Sequence, residues 1–234
     1  MTYKKLVKKL NLKDEDFDRI KKSVADAEAK TTGEIAVAVT PESGTYSFWE
    51  LLAADVLAAV VLICLLPFAD KILGIYQHFY WDNAPAWIIP SFFLITCFAV
   101  IIIGFYLCNI PFIDRLIIPK EIRNRSVTNR AIRYFAESGV YETAEHSGIL
   151  VFVSFMERQV RIVADKGISE KISQDLWNLI ADDLCENMKK GNVTQAFTNA
   201  IEKCGELLAE NFPPHEENPT ELSDGLVILS DGNL

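Results

Sequence analysis

Two long apolar segments constrain this chain more than any other feature of its sequence. Residues 51–68 (LLAADVLAAVVLICLLPF) contain one charged side chain, Asp55, and residues 87–107 (WIIPSFFLITCFAVIIIGFYL) contain none. At a rise of about 1.5 Å per residue, helices of these lengths cover or nearly cover a hydrocarbon core of about 30 Å. We therefore expect both segments to be transmembrane helices that form a hairpin.

The residues on either side of the hairpin have the patterns of soluble α/β structure. We interpret residues 48–112 as an insertion between two parts of one domain, residues 1–47 and residues 113–234. Residues 1–22 lack the apolar run of a signal peptide, so we expect the first span to remain in the mature protein as an anchor.

Charge distribution predicts the orientation in the membrane and the classes of partner. Lys71 is the only Lys or Arg in residues 69–86 between the spans, whereas several follow the second span. Positive residues collect on the cytoplasmic side, so we expect a multi-pass protein of the inner (cell) membrane with both termini in the cytoplasm and the lipid bilayer as a partner. Residues 134–234 carry a net charge of about −11, which argues against nucleic acid as a partner.

The periodicity of the remaining residues predicts a mixed sheet covered by helices, an α/β domain of three αβα layers. Two β-branched runs, 148–155 and 159–164, are separated by three residues and predict an antiparallel hairpin. The helix expected at 169–190 has its apolar face on Ile172, Leu176, Leu179, Ile180 and Leu184. The other predicted elements are helices at 3–10, 14–30, 121–138 and 193–211, a buried strand at 34–40 and an edge strand within 221–230.

The first helix is basic and amphipathic, because Leu6, Val7 and Leu10 share one face. The other face carries four lysines, Lys4, Lys5, Lys8 and Lys9. Such a helix can lie on an anionic membrane surface at about 1 kcal/mol per lysine. It can equally pack against its own domain, and the sequence leaves both interpretations open.

Catalytic signals are sparse. The sequence has no P-loop, GxGxxG or GxSxG motif, and three scattered histidines, His78, His146 and His215, do not suggest a metal centre or a triad. The five cysteines have no zinc or disulfide spacing, so we expect reduced thiols.

Carboxylates near strand ends remain the best candidates for a ligand site. Ligands of open α/β sheets bind where strands end, and Ca²⁺ or Mg²⁺ takes several oxygen ligands. Asp165 is the strongest candidate, with Glu157 and Glu34 as further ligands, and Glu221 and Asp224 lie near the last predicted strand. The alternatives are that Asp165 caps a helix and that Glu157 is a solvated turn residue.

Asp55 is a separate candidate because a charge inside a membrane span is costly and often functional. It could serve proton relay or transport if hairpins oligomerise. Alternatively, it lies about one turn into the helix and is hydrated at the interface.

Dispersed motifs in this chain resemble those of the TPM domain family, which occurs in a photosystem II repair protein of plants and in many bacterial membrane proteins. The similarity extends over the whole chain and is greatest to a bacterial branch with a transmembrane pair inserted after the first strand. The residues that carry it are Thr32 to Ile35 (TGEI), Tyr46, Arg130 to Phe135 (RAIRYF), Gly139, Val140, Thr143, Gly148 to Ser154, Glu157, Ile162 to Ile168 (IVADKGI), Trp177, Phe212, Pro213, Glu221, Leu222 and Asp224.

The resemblance implies an αβα fold around a mostly four-stranded sheet. Members of the family resemble acid phosphatases, divalent-metal binders and auxiliary subunits of other membrane proteins. This chain has Asn211 where many members have His before the Phe-Pro pair, which weakens a catalytic role there.

Three hypotheses about function follow. The first is a non-enzymatic adaptor or quality-control accessory for other membrane proteins, with the acidic helices 169–190 and 193–211 as the partner surface. The second is a divalent-metal-dependent phosphatase that uses Asp165 and Glu157. The third is a small oligomeric channel or transporter formed by the hairpins.

Overall fold

The computed structural model describes residues 3–79, 85–108, 110–143, 146–214 and 225–229. It contains two compact units, one formed by Met1–Thr45 with Glu121–Leu234 and the other by Tyr46–Lys120. The predicted sites at Glu221 and Asp224, and His215, lie outside the described residues.

The first unit is built around a four-stranded mixed sheet in the order β3-β2-β1-β4. β1 is parallel to β2, with Glu34 opposite Gly148 and Thr40 opposite Ser154. β2 is antiparallel to β3, and β4 is parallel to β1 at the edge. The strand that precedes the apolar helical hairpin and the strands that follow it thus form one sheet, as predicted. Their bounds are Glu34–Thr40 (β1), Gly148–Ser154 (β2), Gln159–Ala164 (β3) and Leu226–Ile228 (β4).

Side chains of the central strands alternate between two helical layers, because successive strand residues point to opposite faces. Ile35, Val37 and Val39 pack into the larger layer, whereas Ala38 packs against the smaller one. The predicted three-layer αβα fold is therefore confirmed. The larger layer contains α1 (Tyr3–Leu10), α2 (Asp14–Glu28), α9 (Gln174–Lys189) and α10 (Val193–Asn211), and the smaller contains α7 (Lys120–Glu137).

The apolar face of α1 packs against the domain itself. Leu6 and Leu10 are buried in the larger core, and Val7 is half-buried against it. The four lysines Lys4, Lys5, Lys8 and Lys9 are exposed. Insertion of the apolar face into a bilayer would have to remove these leucines from the core, so any membrane contact is left to the lysines, and that contact stays a prediction.

The helix predicted at 169–190 is wrong in its start and in part of its buried face, since Ile180 and Leu184 are buried as predicted but Leu176 and Leu179 are not. A short helix, α8 (Lys166–Ser169), comes first, and α9 begins only after Ser173, whose backbone is extended (ψ 145°). Serine favours this conformation at a helix start. The break changes the rotation of the following helix, so that Trp177 enters the core while Leu176 and Leu179 are 41 % and 66 % exposed.

The second unit consists of a long helical segment and a second apolar helix. α3 (Ser47–Leu65) continues through a 3₁₀ turn at Leu66–Phe68 into α4 (Ala69–Phe79). Pro67 has no backbone N–H to donate to the helix, which accounts for the 3₁₀ turn. α5 (Ile88–Cys108) and α6 (Pro111–Ile117) follow. The helix therefore extends beyond the predicted span, into residues expected to be a loop.

Small residues mediate the contact between α3 and α5. Ala54, Ala58 and Gly104 are the buried small residues of the two helices. A Cβ atom on Gly104 would lie 3.2 Å from the Cβ of Ala54. By length and composition, the segments Ser47–Phe79 and Ile88–Cys108 can each cross a membrane.

We expect Gly148→Ala to destabilise the first unit by about 2–3 kcal/mol, because the added methyl group would overlap the carbonyl oxygen of Val140. The readout is alkylation of Cys204 in urea, quantified by peptide mass spectrometry, since Cys204 is fully buried in this unit. Gly74→Ala is the matched control, because no described residue beyond its chain neighbours and its own helix backbone comes within 4 Å of its Cβ position. Equal alkylation rates for both variants would contradict the predicted overlap.

Candidate functional site

The three predicted carboxylates lie at two opposite ends of the sheet. Glu34 is the first residue of β1, and the backbone N–H of Asp165 donates to the carbonyl of Gly148 at the same end. Glu157 instead bonds to Ser43, which follows the other end of β1. A strand of seven residues separates these ends by about 20 Å. Glu157 therefore cannot share a metal ion with Glu34 or Asp165.

Asp165 caps the short helix α8. Its Oδ1 accepts a hydrogen bond from the backbone N–H of Lys166 at 2.6 Å, and its Oδ2 lies 3.2 Å from His146 Nδ1. These contacts match the alternative role as a helix cap. A cleft of about 450 Å³ adjoins the pair and is lined by Tyr141, His146, Asp165, Lys166, Gly167 and Glu170.

Glu34 is buried beside a set of hydrogen bonds that connect the ends of the elements around it. The backbone N–H of Glu34 donates to Ser147, and the Ser147 hydroxyl donates to the carbonyl of Thr32 at 2.9 Å. Thr31 Oγ1 donates to the carbonyl of Phe212 at 2.6 Å. Among the described residues no group of three His, Cys, Asp or Glu side chains is arranged to hold a metal ion. Binding of Ca²⁺ or Mg²⁺ stays a prediction.

At the opposite end, Glu157 joins two serines in a buried polar cluster. Glu157 Oε1 accepts from the backbone N–H of Ser43 at 2.9 Å, and Oε2 accepts from Ser154 Oγ at 2.5 Å. The two serine Oγ atoms are 2.6 Å apart. Because Ser154 uses its single proton toward Glu157, Ser43 donates to Ser154. Glu157 is therefore not a solvated turn residue.

The Ser43–Ser154–Glu157 cluster is built for structure rather than nucleophilic catalysis. A serine beside a carboxylate can be an activated nucleophile, but the Ser154 side chain is 0 % exposed and cannot meet a substrate. The cluster instead connects the exit of β1 to the turn between β2 and β3. The backbone bond from Phe155 N–H to the carbonyl of Thr40 strengthens the same connection.

Ser43 also borders a polar cleft of about 280 Å³ that the sequence analysis did not predict. The other long side chains that line this cleft come from α7, and the most buried of them is that of Arg130. The sequence did contain a signal for this burial. Arg130 lies three residues after Val127 and one before Ala131, within the apolar stripe of α7. This spacing puts its side chain on the buried face of the helix.

In the second unit, Asp55 lies further into its helix than predicted. α3 begins at Ser47, which puts Asp55 eight residues, or about 12 Å, from the start of the helix. Its side chain is exposed, whereas Glu50 and Asp114 are buried carboxylates that the sequence analysis did not single out. A role for Asp55 in proton relay or transport stays a prediction.

We expect Glu157→Gln to destabilise the first unit by about 1.5–3 kcal/mol, because the amide nitrogen replaces one acceptor and faces a buried donor. Glu170→Gln is the matched control, since the Glu170 side chain is 67 % exposed and should change stability by less than about 0.5 kcal/mol. Urea-dependent alkylation of Cys204 measures both variants. A Glu157→Gln protein as stable as the control would show that the cluster does not hold the strand ends together.

Comparisons with known proteins bear on this fold. Residues 115–207 match the family model of the TPM domain. The NMR structure of the BA42 protein from the psychrophilic bacterium Bizionia argentinensis sp. nov. is similar, with a TM-score of 0.53 and 19 % sequence identity, covering 93 % of this chain and 94 % of that chain. A comparison with curated proteins found no match. The similarity to BA42 concerns the fold alone. The TPM family that the motifs predicted is matched over residues 115–207.

Proposed function

We propose that this protein is a membrane-anchored adaptor. The hairpin holds the TPM domain at the cytoplasmic face of the inner membrane, where the domain binds other membrane proteins without catalysing a reaction. The observation that carries the proposal is the exposure of the two apolar helices.

These helices are unlike the core helices of a soluble protein. In the most apolar 18-residue stretches of Ser47–Phe79 and Ile88–Cys108, only 11 % and 6 %, respectively, is buried. Large side chains such as Phe48, Ile63 and Ile95 are about two-thirds exposed, at 70 %, 67 % and 68 %. Soluble monomers rarely expose apolar patches larger than a few hundred Å². A lipid bilayer is the solvent that accounts for this surface.

The packing of α3 against α5 also supports a bilayer environment. Lipid removes the hydrophobic drive for helix association, so membrane helices associate through close backbone approach at small residues. Ala54, Ala58 and Gly104 provide such an approach here.

The sheet supports placing both flanks of the hairpin on one side of the membrane. β1 precedes the hairpin and β2 follows it, yet the two strands are hydrogen-bonded neighbours. Backbone partners cannot be separated by a bilayer, so the number of crossings between them must be even. The excess of Lys and Arg after the second apolar helix favours the cytoplasm as the shared side.

The exposed face of α9 supports an adaptor role. Leu176 and Leu179 lie side by side on this face, one turn apart, and are exposed. Three exposed acidic residues flank them on the same helix face, Asp175, Asp182 and Glu186. An apolar centre with a charged rim is typical of a protein interface, and this one fits a partner with an apolar and basic surface.

We expect native and introduced cysteines to report the proposed orientation. In intact cells, a membrane-impermeant maleimide should label Gln77→Cys, near the C-terminal end of the helical segment Ser47–Phe79. It should label Cys185 only after permeabilisation. Cys204 is an internal control that stays unlabelled until the protein unfolds, because burial removes it from solvent and raises the pKa of its thiol to about 12. Labelling of Cys185 in intact cells would reverse the proposed orientation.

We expect the full chain, solubilised in detergent, to co-purify with at least one membrane protein through the exposed face of α9. Replacement of both Leu176 and Leu179 by Ser should reduce that capture by at least about tenfold, because hot-spot side chains carry most interface energy. Ile132→Ser, on α7, is the matched control, since Ile132 is 53 % exposed. The proposal fails if no protein is enriched over a control that contains only residues 46–120, or if the double variant captures as much as the control variant.

A further inference from the structure

A buried arginine lines a polar cleft in the TPM domain. Arg130 is 9 % exposed, and two of its nitrogens, Nε and Nη1, are buried without a hydrogen-bond partner among the described residues. A guanidinium group remains charged at all physiological pH values. Burial of a charge is costly unless it is paired, and most buried polar groups have a partner. The position of Arg130 therefore calls for an acceptor that is not part of the described chain.

We infer that this cleft binds an oxyanion, of the phosphate class, through the guanidinium of Arg130. A phosphate group offers several oxygen acceptors, and the planar fork of arginine can bind two of them in parallel. A ligand in the cleft would place its negative charge beside this guanidinium, whose Nε and Nη1 have no hydrogen-bond partner among the described residues. The inference concerns the domain itself and does not depend on the adaptor role.

The other groups in the cleft fit an anion. Arg133 lies three residues after Arg130 on α7, on the same side of the helix, and its exposed side chain adds a second positive charge at the rim. Ser126 and Asn129 contribute neutral hydrogen-bonding groups, and residues 43–45 form the opposite wall. Among the described residues that line the cleft there is no Asp or Glu.

The carboxylate of Glu157 is held by other donors. Both of its oxygens accept hydrogen bonds from the buried Ser43–Ser154 pair, and neither of these bonds involves Arg130. The positive charge of Arg130 remains available to a ligand.

The size of the cleft favours a ligand larger than water. Its volume is about 280 Å³, whereas one water molecule occupies about 30 Å³ in the liquid. Bridging waters alone would also leave the charge of Arg130 without a counter-charge. A phosphate group, free or carried by a lipid headgroup, fits within such a space and supplies the charge.

Two sources of phosphate are chemically equivalent at this site. Thr45 borders the cleft and lies two residues before Ser47, where α3 begins. This connection makes the phosphate of an anionic lipid headgroup one source. A soluble phosphate compound is the other, and the two are separated by experiment.

The test uses the full chain in maltoside micelles, which contain no phosphate. Isothermal titration with inorganic phosphate should detect binding to the wild type. Arg133→Gln, which removes the positive charge at the rim, should weaken binding about tenfold. Arg130→Lys keeps the charge but removes the fork, and should weaken binding at least as much. Arg125→Gln is the matched control, because Arg125 is exposed on the same helix and does not line the cleft.

The second arm identifies the source of the phosphate. Nanodiscs of phosphatidylcholine are compared with nanodiscs that also contain phosphatidylglycerol, with urea-dependent alkylation of Cys204 as the measure of domain stability. Stabilisation by phosphatidylglycerol that is lost in Arg133→Gln and retained in Arg125→Gln supports a lipid headgroup. Stabilisation by inorganic phosphate alone supports a soluble ligand. The inference is overturned if neither probe binds or stabilises, or if Arg125→Gln weakens binding as much as Arg133→Gln.

Discussion

The parallel pairing of β1 with β2 is the constraint on which the rest of the structure depends. These neighbouring strands are separated in sequence by the whole apolar hairpin, and every residue from Glu34 to Thr40 has a partner in β2. Parallel strands require a long crossover connection, and here that connection contains the hairpin. The insertion can be accommodated because α3 and α5 pack against each other at Ala54 and Gly104, which brings the ends of the crossover back together.

Several residues of the family motifs support this pairing. Gly148 leaves room for the Val140 carbonyl at one end of β2. Thr32 and Phe212 are joined by a backbone hydrogen bond at the same end of the sheet. Glu157 closes the other end through buried bonds to two serines. Hydrogen bonds that hold strand ends together explain why motif residues that are dispersed in the sequence are characteristic of one fold.

Arg130 differs from these motif residues because its buried polar atoms are not satisfied within the described chain. Glu157 has donors for both oxygens, whereas Arg130 has room for an acceptor beside it. Charged groups that are buried and unpaired are expensive, so they point to a ligand more strongly than a satisfied carboxylate does. The exposed leucines of α9 favour a protein partner in the same way that the buried charge of Arg130 favours a ligand, since exposed apolar side chains beside charged ones are typical of interfaces.

The sequence by itself determined the apolar spans, the order of the strands along the chain and the αβα class, because hydrophobic periodicity and segment length are local properties. It also identified α1 as amphipathic. Only the tertiary structure decided which polar residues meet. Glu157 and Asp165 are close in sequence but lie at opposite ends of the sheet, because the β2–β3 turn and the exit of β3 are one strand length apart. The cleft at Arg130 requires α7 and the exit of β1 to come together, and that proximity follows from strand pairing over more than 100 residues of chain, which no local pattern records.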